Sequence, residues 1–64
     1  MSIKTIDDRV LDLVANGITD ATRLYHILKA ENWPEVITFT PMMFNVWLQN
    51  KGYTVDMTTN AVTL

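Results

Sequence analysis

No cysteine occurs among the 64 residues of this chain, and for so short a chain that absence constrains the fold more than any other feature. A domain of this length buries only about 60% of the surface its unfolded chain exposes. Small domains usually offset the deficit with disulfides, a structural metal or oligomerisation. Disulfides and thiolate zinc sites are excluded here, so the fold must rest on apolar packing, with self-association as the remaining aid. The composition supplies the means: 48% of the residues are hydrophobic, including Trp33, Trp47, Phe39, Phe44, Tyr25 and Tyr53. The length admits a single domain over residues 1–64. With so many apolar residues in so little chain, some are expected at the surface, and a patch of a few hundred Å² on a small domain marks an interface.

Five bases against seven acids leave a formal charge of −2. The sign counts against simple nucleic-acid binding, which usually uses a basic surface. No apolar run approaches the ~20 residues that span a bilayer, so no membrane partner is expected. The opening residues, Met1 to Asp8, carry no apolar segment of signal-peptide type, which makes a complete, soluble, cytoplasmic gene product the expectation.

The chain divides into helices by its start and stop signals. Thr5 is a good N-cap with Asp8 three residues on, and Ile6, Val10, Leu13 and Val14 form one helical stripe. Asp7, Asp8, Arg9, Asp12 and Asn16 occupy the other face, and Asn16-Gly17 ends the helix. A second helix is expected to start at Thr19, with Asp20 in its first turn. It buries Ala21, Leu24, Ile27 and Leu28, turns Arg23, His26 and Lys29 elsewhere, and stops at Asn32-Trp33-Pro34. The β-branched and aromatic run Val36 to Thr40 predicts a short strand. Thr40-Pro41 then opens a third helix, with proline at the first helical position, and Gly52 closes it. Tyr53 to Met57 and Ala61 to Leu64 alternate apolar and polar around Thr58-Thr59-Asn60, a β-hairpin. Tyr53, Val55 and Met57 should share one face, with Val62 and Leu64 opposite them, and the Val36 to Thr40 strand should pair with one of the two hairpin strands, the last being preferred. The fold class is α+β: three helices, a short strand and a C-terminal hairpin.

That order, carried by Val10 to Gly17 with Ile18-Thr19-Asp20-Ala21, then by Thr40-Pro41 opening a helix that ends Leu48-Gln49-Asn50-Lys51-Gly52-Tyr53 before a hairpin, resembles the winged helix-turn-helix superfamily. The resemblance spans nearly the whole chain and lies in layout and punctuation, not in a residue-specific motif. The size is similar to that of small phage- or plasmid-encoded regulators. The resemblance implies that the third helix enters the DNA major groove while the hairpin, as a wing, touches the backbone.

A helical wheel of the third helix assigns Met43, Phe44, Trp47, Leu48 and the stem of Lys51 to the core. Met42, Asn45, Val46, Gln49 and Asn50 fall on the outer side as the DNA- or partner-binding residues. Asn and Gln can pair bidentately with adenine edges, which suits Asn45 and Gln49 to base reading; equally, two amides on a helix face simply keep it solvated. Phosphate contact needs Lys or Arg, and this helix offers Lys51 alone, while the wing carries Asp56 and no base. Lys4, Arg9, Arg23 and Lys29 lie on the first two helices.

No catalytic constellation is present in the sequence, so no enzyme and no small-molecule substrate is expected. His26 is the one histidine, a surface or half-buried helix residue. Asp8 and Asp12, one turn apart, form a solvated face relieved by Arg9. No ligand spacing supports a metal, and Gly17 and Gly52 are helix stops rather than a phosphate loop, so no cofactor is expected. Two functions stay open: a non-catalytic regulator of winged-helix type binding duplex DNA as a homodimer, and a protein–protein interaction module, an adaptor or inhibitor. The second would use Met42 and Val46 as an apolar patch rimmed by Asn45, Gln49 and Asn50. The potential over the third helix and hairpin discriminates them: a continuous positive strip favours DNA, a neutral apolar surface favours protein.

Overall fold

Three side-chain oxygens start the three long helices. Thr5 Oγ1 accepts from the Asp8 amide at 3.2 Å, Asp20 Oδ1 from the Thr22 amide at 2.8 Å, and Thr40 Oγ1 from the Met43 amide at 3.2 Å. Each satisfies an N–H that has no partner inside its helix. The computed structural model describes residues 5–63 and contains α1 (Ile6–Ala15), α2 (Ala21–Ala30), the one-turn α3 (Pro34–Ile37), α4 (Pro41–Asn50), and an antiparallel pair, β1 (Thr54–Val55) and β2 (Val62–Thr63). Thr5 and Thr40 cap as the sequence predicts; the cap of α2 is Asp20, one residue beyond the expected Thr19.

The three ten-residue helices also end alike. Gly17 (φ 91°), Asn32 (φ 63°) and Gly52 (φ 98°) take the left-handed conformation just past α1, α2 and α4. Their amides reach Val14, Lys29 and Gln49 carbonyls, and the next amides, of Ile18, Trp33 and Tyr53, reach back to Leu13, Leu28 and Leu48. This paired closure is the Schellman motif, which satisfies carbonyls left over at a helix end. Ile18, Trp33 and Tyr53 are half-buried against the core that Leu13, Leu28 and Leu48 enter. Each helix stop therefore also adds an apolar side chain to the core.

The core comprises Ile6, Val10 and Leu13 of α1, Ala21, Leu24, Tyr25 and Leu28 of α2, Val36, Phe44, Leu48, Val55 and Val62. Phe44 lies between the rings of Tyr25 and Trp47, with centroids 5.6 and 5.7 Å away. Tyr25 replaces the expected Ile27 in the deepest stripe of α2, because its hydroxyl, bonded to the Phe39 carbonyl at 2.5 Å, has a partner to bury against. Ile27 and Val14 are half-buried, and Lys29 lies back on α2, its Nζ 3.1 Å from the Tyr25 hydroxyl. No polar side chain is fully buried among the described residues.

The expected strand at Val36 to Thr40 does not form. Pro34 starts a helical turn instead, Val36 enters the core, and Ile37 is left 49% exposed. The reason is tertiary: the free edge of β2 is taken by the chain between α1 and α2. The Val62 amide donates to the Thr19 carbonyl at 2.7 Å, the Ala21 amide to the Asn60 carbonyl at 2.8 Å, and Asp20 bridges Ala61. With that edge of β2 occupied, the β-branched segment closes locally, and the Phe39 amide bonds the Val36 carbonyl at 3.1 Å. The described residues consequently form four helices where three were expected.

The expected hairpin forms, and it pairs Val55 with Val62, both buried. Its loop is organised by Asp56, whose carboxylate accepts from the Thr58 and Thr59 amides at 2.8 and 3.3 Å, and by Asn60 at φ 61°. Those two amides, Thr58 first, hold the Asp56 carboxyl below the usual carboxylate range. Met57 belongs to this loop and is exposed rather than sharing the face of Tyr53 and Val55. Leu64, expected beside Val62, and Lys4 lie outside the described residues.

Arg9 ties α1 to the end of α2: its Nη2 stands 2.7 Å from Glu31 and its Nη1 2.8 Å from Asp12. Trp33 Nε1 donates to the same Glu31 carboxylate at 2.7 Å. The total accessible surface is 4165 Å² for 7.3 kDa, against about 4200 Å² from the size scaling of folded monomers. The exposed large apolar side chains, Leu11, Ile37, Met42, Met43, Val46 and Met57, are therefore not the sign of a loosely packed chain.

Candidate functional site

Helix α4 is built from Pro41-Met42-Met43-Phe44-Asn45-Val46-Trp47-Leu48-Gln49-Asn50 and contains no charged residue. Phe44 and Leu48, one turn apart, anchor it fully in the core. At 100° per residue, Asn45 and Trp47 stand about 80° to either side of that axis, and Val46 about 180° from it. Exposure follows the wheel: Asn45 and Trp47 are half-buried, while Val46 is 50% and Met42 68% exposed.

Met43, assigned to the core by sequence, is 48% exposed. It lies about 120° from the Phe44–Leu48 axis, and a ten-residue helix anchored by two fully buried residues leaves it no room inside. Trp47, likewise expected in the core, covers its edge: its ring stacks on Phe44 at 19°, and Phe39 leans on it with centroids 6.3 Å apart. All five residues that the sequence placed on the outer side, Met42, Asn45, Val46, Gln49 and Asn50, lie off the core axis, but they divide into two groups.

The first group faces Phe39. Met42, Val46 and Asn50, with Met43 and Trp47, line an open groove of about 460 Å³ whose walls are almost wholly apolar. The second group faces the hairpin: Asn45 Nδ2 and Gln49 Nε2 each stand 3.9 Å from Met57 Sδ. Between α2, the start of α4 and the hairpin loop lies a second hollow of about 330 Å³, bordered by Thr22, Tyr25, Met42, Asn45, Met57 and Asn60. Sequence reasoning missed Met43, Phe39 and Met57 as parts of this surface. A wheel centred on Phe44 and Leu48 would have found Met43; the other two depend on the α3 turn and the hairpin loop.

Charge is scarce here. Lys51, just past α4, holds its Nζ 3.3 Å from Asp7 and 5.4 Å from the Trp47 ring centre, so it is engaged along the helix end. Asp56 is the charge nearest in sequence on the hairpin. Arg9 is taken up by Glu31 and Asp12, and Lys29 lies on the Tyr25 ring, 5.0 Å from its centre. Arg23 is exposed on α2. The described residues thus place no continuous positive strip across α4 and the hairpin.

His26 is exposed and meets the Tyr25 ring edge-on at 5.8 Å, Asp12 is engaged by Arg9 and Asn16, and no three His, Asp or Glu among the described residues are grouped to hold a metal ion. No helix among the described residues is long and apolar enough to cross a membrane. Comparison with known proteins finds no matching family model, no matching curated protein and no matching solved structure.

Proposed function

We propose that this chain is a non-catalytic binding module whose working surface is the solvent face of α4, and that the surface takes protein rather than duplex DNA. One observation carries the reading: the outer side of an uncharged helix, in a chain with twelve charged residues, is an apolar groove between Phe39, Met42, Met43, Val46 and Trp47. Apolar surface gains roughly 25 cal/mol per Å² when covered, and Met and aromatic side chains adapt well to irregular partners. The compartment proposed with it is the cytoplasm, where a domain without disulfides loses nothing to reducing conditions.

A winged helix-turn-helix regulator that binds DNA as a dimer is the second reading. What favours it is arrangement, since α4 lies beside the hairpin and carries Asn45 and Gln49, amides of the kind that pair with adenine, next to the hairpin loop. Two observations weigh against it. Phosphate neutralisation needs cations that this face lacks. Between α2 and α4 run ten residues, 31–40, including α3, where a helix-turn-helix has a turn of about three or four.

A photoreactive phenylalanine analogue at position 46, irradiated in cells, separates the readings. We expect protein adducts from position 46 and none from the same analogue at position 23, together with no retardation of random duplexes at low salt. Nucleic-acid adducts from position 46, or duplex binding that weakens steeply with salt, would reverse the order of the two proposals.

A further inference from the structure

Among the described residues, Met57 is the one methionine with hydrogen-bond donors on its sulfur. Asn45 Nδ2 and Gln49 Nε2, one turn apart on α4, each stand 3.9 Å from its Sδ. Met42 is more exposed, at 68% against 55%, yet its sulfur has no such donors among those residues. We propose that Met57 is an oxidation site whose sulfoxide is received by the Asn45 and Gln49 amides, so that oxidation fastens the hairpin loop to α4. The inference goes beyond the binding reading and does not depend on which macromolecule α4 takes.

The argument begins with a mismatch of hydrogen-bonding strength. A thioether sulfur is a weak acceptor, whereas a side-chain amide carries two N–H donors. Neither amide nitrogen has another acceptor among the described residues. Two donors turned on one weak acceptor leave bonding capacity unused. Oxidation supplies what is missing, because it converts an apolar side chain into a polar one whose oxygen accepts strongly. An oxygen added to Sδ on its α4 side brings the 3.9 Å gaps within reach of N–H···O bonds of about 2.9 Å.

Placement favours the same residue. Met57 borders the hollow of about 330 Å³ between α2, α4 and the hairpin loop, so a small oxidant reaches the sulfur. The loop is already set: Asp56 accepts from the Thr58 and Thr59 amides, and the Asn60 amide donates to the Asp56 carbonyl at 2.6 Å. Asn45 and Gln49 stand on a helix anchored by the fully buried Phe44 and Leu48. The donors therefore need no assembly when the oxygen arrives; only side-chain torsions adjust. Met42 and Met43 instead line the apolar groove with Phe39, Val46 and Trp47, surroundings that a sulfoxide disturbs rather than completes.

The oxidant is a hydroperoxide. The Sδ lone pair attacks one peroxide oxygen, and the S–O bond forms as the O–O bond breaks. With hydrogen peroxide, the leaving hydroxide takes the proton from the transferred oxygen and departs as water. Sulfur gives up an electron pair and the peroxide accepts it.

Hydrogen peroxide treatment of the purified chain, followed by peptide mass spectrometry and NMR of the side-chain amides, tests the proposal. Sulfoxide should be found at Met57. The Asn45 and Gln49 side-chain N–H signals should move downfield and exchange with solvent several-fold more slowly, while those of Asn16 and Asn32 stay in place. In Met57→Leu, which keeps Met42 and Met43, peroxide should leave the Asn45 and Gln49 signals where they were. Urea denaturation of the Met42→Leu, Met43→Leu chain gives an independent measure. Oxidation should raise its midpoint, and the rise should vanish when Asn45→Ala and Gln49→Ala are added. The inference is overturned if Met57 stays a thioether while Met42 and Met43 oxidise, or if the two amide signals do not respond. It is equally overturned if they respond alike in Met57→Leu, if the midpoint does not rise, or if it rises as much without the two amides.

Discussion

Replacing Phe44 by Ala probes the one contact on which both the fold and the α4 surface depend. The side chain is fully buried, and it joins α2 to α4 through the Tyr25 ring on one side and the Trp47 ring on the other. Phe→Ala changes in cores cost about 3–5 kcal/mol. Each aromatic pair is worth about 0.5–1.5 kcal/mol beyond area, and two are lost here, so the upper end of that range applies. Against this, a chain of 64 residues has roughly 3–10 kcal/mol of total stability. The variant should be largely unfolded or close to it at 25 °C. Phe44→Leu, which keeps most of the bulk and loses the ring pairs, should cost about 1–2 kcal/mol and remain folded. Urea denaturation read by circular dichroism measures both. With a slope near 1 kcal/mol per molar for so small a domain, the Ala variant should lose at least about 3 M in midpoint. A loss below about 1 M would mean that Phe44 is not in the core, and the assignment of Val46 to the outer face would go with it.

Two further outcomes rest on named contacts. Tyr25→Phe removes the bonds to the Phe39 carbonyl and from Lys29, and should cost about 0.5–1.5 kcal/mol in the same assay, with faster amide exchange across residues 36–40. The Arg9 hydrogen bond, aided by Trp33, holds Glu31 below its ordinary value of 4.5, so its contribution is present above that pH and is lost as pH falls through the lowered value. Glu31→Gln should therefore shrink the loss of stability below pH 4.5, by less than about 1 kcal/mol for an exposed pair, and a parallel acid limb in both proteins would show that Glu31 does not contribute.

Much of this architecture is visible in local chemistry. Thr5 and Thr40 are read as caps because a hydroxyl before an apolar stripe satisfies amides that nothing else in the helix can reach. Gly17 and Gly52 are read as stops because the left-handed backbone costs glycine nothing. Asn32 performs the same task less visibly, since its stop signal is shared with Trp33-Pro34. The alternation around Thr58-Thr59-Asn60 is read as a hairpin because strand side chains repeat every two residues, while the pairing of Val55 with Val62 comes from the structure.

What the sequence by itself determined, then, are the three long helices, the caps of α1 and α4, the glycine closures and the hairpin, because each arises from interactions within a few residues. Only the tertiary structure decided which segment lies beside β2. Thr19 to Ala21 occupies that edge, and Val36 to Ile37, strand-like in composition, is left to coil into α3. The same holds for Met43 and Phe39. Whether an apolar side chain is core or surface depends on how much space its neighbours leave, and with Phe44 and Leu48 filling the space beneath α4, the remaining apolar residues were turned outward into the groove.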